Sequence, residues 1–434
     1  MHTTGAWRGK VLHFVADPTE VGEQAWQYWE DGLLWVEAGR VKQVGNAADL
    51  LPNFPSTLSI QHYPDYFILP GFIDTHIHYP QTEMVAAFGT QLLEWLNTYT
   101  FPVESQFKDE AYAAEIAKFF LQELLRNGTT TALVFGTVHP QSVDAFFKAA
   151  LALNLRMIAG KVMMDRHAPD YLIDTPESSY TDSKALIERW HQIGRLQYAV
   201  TPRFAPTSTP EQLAKAAQLL QEYPDVYLHT HLSENVNEIA WVKELFPAAS
   251  SYTDVYHQAG LTVKRSVFAH GVHLSADECE CLATTQSGIA HCPTSNQFLG
   301  SGTMDLSQLE RFKIKVGLGT DIGGGTSFSM FKTMASAYEV QQARGRSLDP
   351  FKALYLATLG GSKVLDLVGT VGNFSIGNEA DFILVDPKAT PLLKLRSEHC
   401  KTLKEQLFVL NTLGDDRCIA ATYSMGQLVH QREA

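Results

Sequence analysis

The sequence predicts an α/β fold: eight strands alternating with helices and closing into a (β/α)₈ barrel, with a small β-domain built from both chain ends. Three observations lead there. Eight strand-like apolar runs, most of them separated by helix-patterned stretches, fill the middle of the chain. Both ends are instead rich in short strands and turns. The rival architecture, an open doubly wound sheet, needs a Gly-x-Gly-x-x-Gly turn after its first strand, and no such turn follows the first apolar run.

Taken in order, roughly the first 65 residues read as strands and turns, with Leu33–Val36 and Val41–Val44 flanking the turn at Glu37-Ala38-Gly39-Arg40. The barrel strands then follow as Phe67–His78, Thr131–Gly136, Met157–Met164, Tyr198–Phe204, Val226–His231, Val267–His270, Gly288–Cys292 and Val316–Asp321. Asp109–Arg126 carries the clearest helical period, with Ile116, Phe119, Phe120 and Leu124 among polar neighbours such as Glu123. Thr209-Pro210-Glu211 opens a further helix with a cap residue and a proline at the first position. Gly323-Gly324-Gly325 lacks the Gly-Lys-Ser/Thr of a phosphate loop, so it reads as flexibility or close backbone approach. Gly377–Val385 is another turn and strand, placed to pair with the N-terminal strands.

Composition narrows the function. The formal net charge of −13 argues against nucleic acid or an anionic membrane as partner and favours a small-molecule substrate. Residues 1–10 contain no apolar signal-peptide core, and no apolar run approaches the ~20 residues of a membrane span. The cysteines at 279, 281, 292, 400 and 418 are odd in number and poorly spaced for a disulfide framework, so they read as free thiols of a reducing cytoplasm.

The chemistry lies at the strand ends. His76 and His78 are two apart, so on a strand both rings face one point, as a metal ion requires. Further candidates end later strands: His229 and His231, with Glu234 just beyond, then His270, then Asp321. Of the second pair, His231 is nearer the C-terminal end, where barrel enzymes gather their chemistry, and His229 reads as a core histidine with a hydrogen-bond partner. His270 reads equally well as a satisfied core histidine, and Glu234 as a solvated residue at a helix start. Asp321 ends an apolar strand, where a carboxylate needs a metal or a cation nearby. Neutral imidazoles with one carboxylate suit zinc or ferrous iron.

The run from Pro70 to His78, together with His231, His270 and Thr320-Asp321, resembles the amidohydrolase superfamily. Within it the chain is similar to the guanine deaminase family, through Gln81 and residues 92–102, 160–165, 201–206, 231–235, 291–296 and 320–325. The resemblance implies a distorted (β/α)₈ TIM barrel over residues 69–371 and a β-sandwich from 1–68 and 372–434. It also implies a homodimer that hydrolyses guanine to xanthine and ammonia. One Zn²⁺ per chain, or Fe²⁺, would be held by His76, His78, His231 and Asp321. Superfamily members with two metals often place a carboxylated lysine at the end of strand four. Here that strand ends in Arg203-Phe204, and Lys161 lies within strand three.

On this resemblance Asp321 accepts a proton from the attacking water, His270 orients that water and touches substrate, and Glu234 protonates the ring nitrogen beside the attacked carbon. Gln81, Arg203 and Phe204 bind the base, and Trp95 either lines the pocket or packs behind it. The alternative substrate is another aminated heterocycle, such as a modified purine, a pterin or a triazine, taken by an aminohydrolase or chlorohydrolase of the same scaffold. The unrelated deaminase fold with His-x-Glu and Pro-Cys-x-x-Cys is excluded, because neither motif occurs.

Overall fold

The computed structural model describes residues 3–88 and 92–433; residues 1, 2 and 434 of the expected end domain, and residues 89–91, lie outside them. Four strands open the chain: β1 (Gly5–Phe14), β2 (Trp26–Glu37), β3 (Arg40–Asn46) and β4 (Ile60–Pro70). Nine short parallel strands follow: β5 (Phe72–His78), β6 (Thr129–Phe135), β7 (Arg156–Gly160), β8 (Val162–Met163), β9 (Gln197–Pro202), β10 (Tyr227–Leu232), β11 (Ser266–His270), β12 (Gly288–His291) and β13 (Lys315–Leu318). The chain closes with β14 (Phe382–Val385), β15 (Ile419–Ser424) and β16 (Gln427–Gln431).

The end strands form one separate sheet in the order β16-β15-β14-β4-β1-β2-β3. It is doubled over. Trp7 pairs with Gln61 and Phe382 with Pro70, positions nine residues apart on β4. A straight strand would separate them by roughly 30 Å, yet the Trp7 and Phe382 rings lie 4.8 Å apart. The fold occurs where β1 shifts register against both neighbours after Gly9. A Cβ there would sit 2.7 Å from the Tyr63 carbonyl oxygen. Between the two halves Trp7, Leu34, Ile68, Phe382 and Tyr423 make a small core of their own.

The parallel strands run β5-β6-β7-β9-β10-β11-β12-β13, with β8 beside β9, in a nearly closed barrel. No ladder joins β13 to β5. The seam is held instead by Thr75 Oγ1 donating to the Leu318 carbonyl (2.9 Å) and the Asp321 amide donating to the His76 carbonyl (2.9 Å). That seam sets Asp321 beside the histidine pair.

Two expected strands are interrupted. Phe67–His78 breaks at Gly71, whose amide donates to the Asp381 carbonyl, so its first part belongs to the end sheet. Met157–Met164 breaks at Lys161, whose fully buried ammonium pairs with Asp174. The expected helices form at Glu110–Arg126 and Pro210–Glu222, capped by Asp109 and Thr209. At the strand-start end of the barrel, Arg156 and Arg195 meet Glu379 just before β14, with Arg156 Nε 2.8 Å and Arg195 Nη2 2.7 Å from Glu379 Oε2. This buried cluster ties barrel to end sheet at the far end from the chemistry. Among the described residues, no helix is long and apolar enough to cross a membrane.

Candidate active site

β5 delivers His76 and His78 to the barrel mouth with their Nε2 atoms 3.2 Å apart. Asp321 Oδ1 lies 3.1 Å from the first and 3.3 Å from the second, and His231 Nε2 lies 3.3 Å from His78 Nε2. Four donors at a Zn–N distance of ~2.0–2.1 Å are spaced about 3.3–3.4 Å along the edges of a tetrahedron. The His76–His78, His76–Asp321, His78–Asp321 and His78–His231 separations therefore already lie near the spacing that one shared ion imposes. Burial pushes the His78 ring down to about 3 and those of His76 and His231 down as well, which keeps them neutral, as ligation requires. Burial alone would raise Asp321, but the facing His76 and His78 rings hold it well below the usual carboxylate range.

Hydrogen bonds turn each ring. His231 Nδ1 donates to the Arg203 carbonyl at 2.7 Å, leaving Nε2 for the cluster. His76 Nδ1 lies 2.7 Å from Nε2 of the buried His229, the partner that the sequence left unnamed. Asp321 adopts a positive φ of 51°, and the preceding Thr320 donates its amide (3.1 Å) and its hydroxyl to Asp74. Cys292 Sγ also falls within 4.8 Å of donor atoms of His76 and Asp321. Burial holds this thiol well above its ordinary range in the metal-free chain.

His270, at the end of β11, completes the mouth. Its Nε2 lies 3.4 Å from Glu234 Oε2 and 3.7 Å from Asp321 Oδ2, and its Nδ1 donates to Asn296 Oδ1 at 2.8 Å. It is therefore satisfied, as a core histidine would be, and also turned into the cluster, with one ring nitrogen within 4.8 Å of those of His76 and His231. Glu234 is only 3% exposed, which removes the reading of it as a solvated helix-start residue. Burial and then the Asp321 charge push its carboxyl up to about 8, so it is protonated at neutral pH. Ser301 donates to its Oε1 at 2.9 Å. Glu238 Oε2 accepts from the amides of Glu234 (3.1 Å) and Asn235 (3.2 Å), while Tyr252 donates to Glu238 Oε1 (2.7 Å). The turn that carries Glu234 is thus anchored from below.

Over this cluster lies a cavity of about 40 Å³ bordered by Gln81, Trp95, Arg203, Phe204, Glu234 and His270. A larger groove of about 860 Å³ near Trp26 and Lys352 contains no histidine and lies apart from this chemistry. Arg203 is gripped from two sides: Nη1 donates to Glu104 Oε2 at 2.7 Å, and the guanidinium sits 5.4 Å from the Phe101 ring centre. Gln81 Nε2 donates to Glu104 Oε1 at 3.1 Å and lies 3.1 Å from His78 Nδ1. Gly323 lets the backbone pass against Gln81: its φ is +118° and a Cβ would fall 1.9 Å from Gln81 Oε1.

Residues 67–429 match the model of the amidohydrolase family. The chain belongs to the amidohydrolase family. This amidohydrolase is 56% identical to the guanine deaminase of Escherichia coli (strain K12) over 434 residues, 99% of each chain. It superposes on a solved E. coli guanine deaminase with a TM-score of 0.96, covering 99% of this chain and 100% of that one. A guanine deaminase from C. acetobutylicum, solved with guanine in its active site, gives 0.89 at 29% identity, over 99% and 100% of the two chains.

All nine side chains picked from the amidohydrolase sequence converge here: His76, His78, His231, His270, Glu234 and Asp321 at the mouth, and Gln81, Arg203 and Phe204 on the cavity wall. Trp95 lines the same wall. Glu104, Glu238 and Asn296 were missed. Glu104 had one available signal: an arginine at a buried strand end requires a carboxylate somewhere. Nothing in the spacing says which one.

Proposed function

We propose that this amidohydrolase hydrolyses guanine to xanthine and ammonia, using one divalent ion, zinc or ferrous iron by the donor set, held by His76, His78, His231 and Asp321. The observation that carries the reading is the pairing of a protonated carboxyl with an ionised one. Glu234 is raised to about 8 and Asp321 is held well below its usual range, with carboxylate oxygens 3.4 and 3.7 Å from His270 Nε2. One supplies a proton while the other takes one. When bound, the ion polarises the attacking water and draws its pKa towards ~7.

The rest is done by side chains. Asp321 accepts a proton from the water as its oxygen bonds to C2. Glu234 gives its proton to the ring nitrogen beside C2, so the negative charge that attack would place on the ring is neutralised. His270, fixed by Asn296, orients the incoming oxygen. Asp321 then returns its proton to the exocyclic amine, the C2–N bond breaks, and the remaining O–H proton passes to Glu234. Ammonia leaves and both carboxyls are reset. Arg203 donates to the oxo group, Gln81 to the purine edge, and Phe204 supplies an apolar wall.

The test is metal-loaded protein given guanine, adenine, pterins and aminotriazines, with ammonia release and xanthine absorbance recorded. Turnover of guanine above the others is expected. No turnover of guanine beside turnover of another ring would overturn the substrate while leaving the hydrolytic chemistry.

A further inference from the structure

We infer that Glu104 sets the specificity of the base pocket, cancelling the Arg203 charge so that a neutral oxopurine is held and an anionic one is not. This rests on the substrate reading above. Glu104 is 1% exposed and sits on the short helix Phe101–Ser105, behind the cavity wall rather than on it. Its two oxygens serve the two polar base-binding side chains: Oε2 takes Arg203 Nη1 at 2.7 Å and Oε1 takes Gln81 Nε2 at 3.1 Å. Arg203 makes no other side-chain hydrogen bond among the described residues, and its side chain is 3% exposed.

A buried guanidinium without a counter-charge is costly and attracts whatever anion fits. Paired with Glu104 it becomes a set of fixed N–H donors with no net charge, which suits a carbonyl rather than a carboxylate or a ring anion. The distinction matters for this reaction. Xanthine, the product, loses a ring proton more readily than guanine does. A bare cation at Arg203 would retain the product anion, whereas the neutral pair lets it leave. By joining Gln81, from the turn after β5, to Arg203, at the end of β9, Glu104 also fixes the spacing between the two donors. It is a positioning residue, since it reaches substrate only through them.

The experiment compares metal-loaded wild type, Glu104→Gln and Glu104→Asp, with metal content and circular dichroism as folding checks. Steady-state constants for guanine are measured, together with inhibition by xanthine at pH values on either side of its first ring ionisation. Glu104→Gln should raise KM for guanine roughly ten- to hundredfold, the loss of a hydrogen bond to a charged partner, with a smaller change in kcat. It should also make xanthine bind at least tenfold more tightly as the anion than as the neutral form, a preference absent from wild type. Glu104→Asp keeps the charge but withdraws the carboxylate, so it should raise KM without creating the anion preference. The two variants are read separately, so a Gln variant that does not fold leaves the Asp arm decisive. An anion preference in Glu104→Asp, or an unchanged KM there, overturns the inference. So does Glu104→Gln with the wild-type pH dependence of xanthine inhibition. Wild type that ignores guanine fails the functional reading instead, a result visible before any variant is made.

Discussion

Gly323→Ala should damage substrate binding out of proportion to its cost in stability. The added Cβ would lie 1.9 Å from Gln81 Oε1 and 2.7 Å from Gln81 Cβ. The amide end can swing away from the first contact, but only by leaving Glu104. The second contact is with an atom fixed to the backbone, so one of the two loops must move. The φ of +118° adds strain of about 1–3 kcal/mol. Gly369→Ala supplies the control, since its φ of +83° is also unfavourable for alanine, yet its Cβ would meet nothing within 4 Å. Urea unfolding should show both variants destabilised by about 1–3 kcal/mol. Guanine kinetics should separate them: kcat/KM falls on the order of 10²-fold in Gly323→Ala, the usual consequence of an ångström's misplacement in a site, and stays near wild type in Gly369→Ala. Equal kinetics in the two variants would refute the claim that Gly323 is small for the sake of Gln81.

Three further outcomes are expected. Glu234→Gln can keep a hydrogen bond to Ser301 but delivers no proton, so kcat should drop ~10²–10⁴-fold with metal content unchanged; in wild type, kcat should decline above about pH 8 as this carboxyl ionises. His229→Leu removes the acceptor facing His76 Nδ1, and chelator competition should show metal held about 10–100-fold more weakly. In metal-free protein, burial raises Glu238 from 4.5 to about 7, so the stability it contributes is whole below pH 4.5 and lost as pH climbs to about 7. That amounts to roughly 3 kcal/mol, and a pH series of unfolding midpoints should be correspondingly flatter for Glu238→Gln.

The chain displayed its barrel because parallel strands, buried on both faces, leave apolar runs that end where the chemistry begins. His76 and His78 were legible for a local reason: period-two geometry converts adjacency in sequence into a shared direction. Breaks within runs were not legible. Gly71 and Lys161 interrupt apolar stretches for reasons held by distant partners, Asp381 in one case and Asp174 in the other. The end strands were visible as strands, but the doubling of their sheet was not, because it depends on β4 following β1 through its register shift. Glu104 lies 99 residues from Arg203, and no periodicity spans that interval.

Three carboxyl groups around one cavity show how little residue type alone decides. Asp321, Glu234 and Glu104 are all buried, and for Asp321 and Glu234 burial by itself would favour the neutral acid. Asp321 faces a ring of imidazoles and stays ionised; Glu234 faces Asp321 and the Ser301 hydroxyl, and is protonated at neutral pH. Glu104 faces a guanidinium and an amide, and its charge is matched by Arg203. A base, an acid and a neutraliser thus arise from one chemical group through the identity of its nearest neighbour. Exchanging neighbours should therefore exchange roles. An arginine brought against Glu234 would leave it ionised and unable to protonate the ring, although every atom of the carboxyl remained in place.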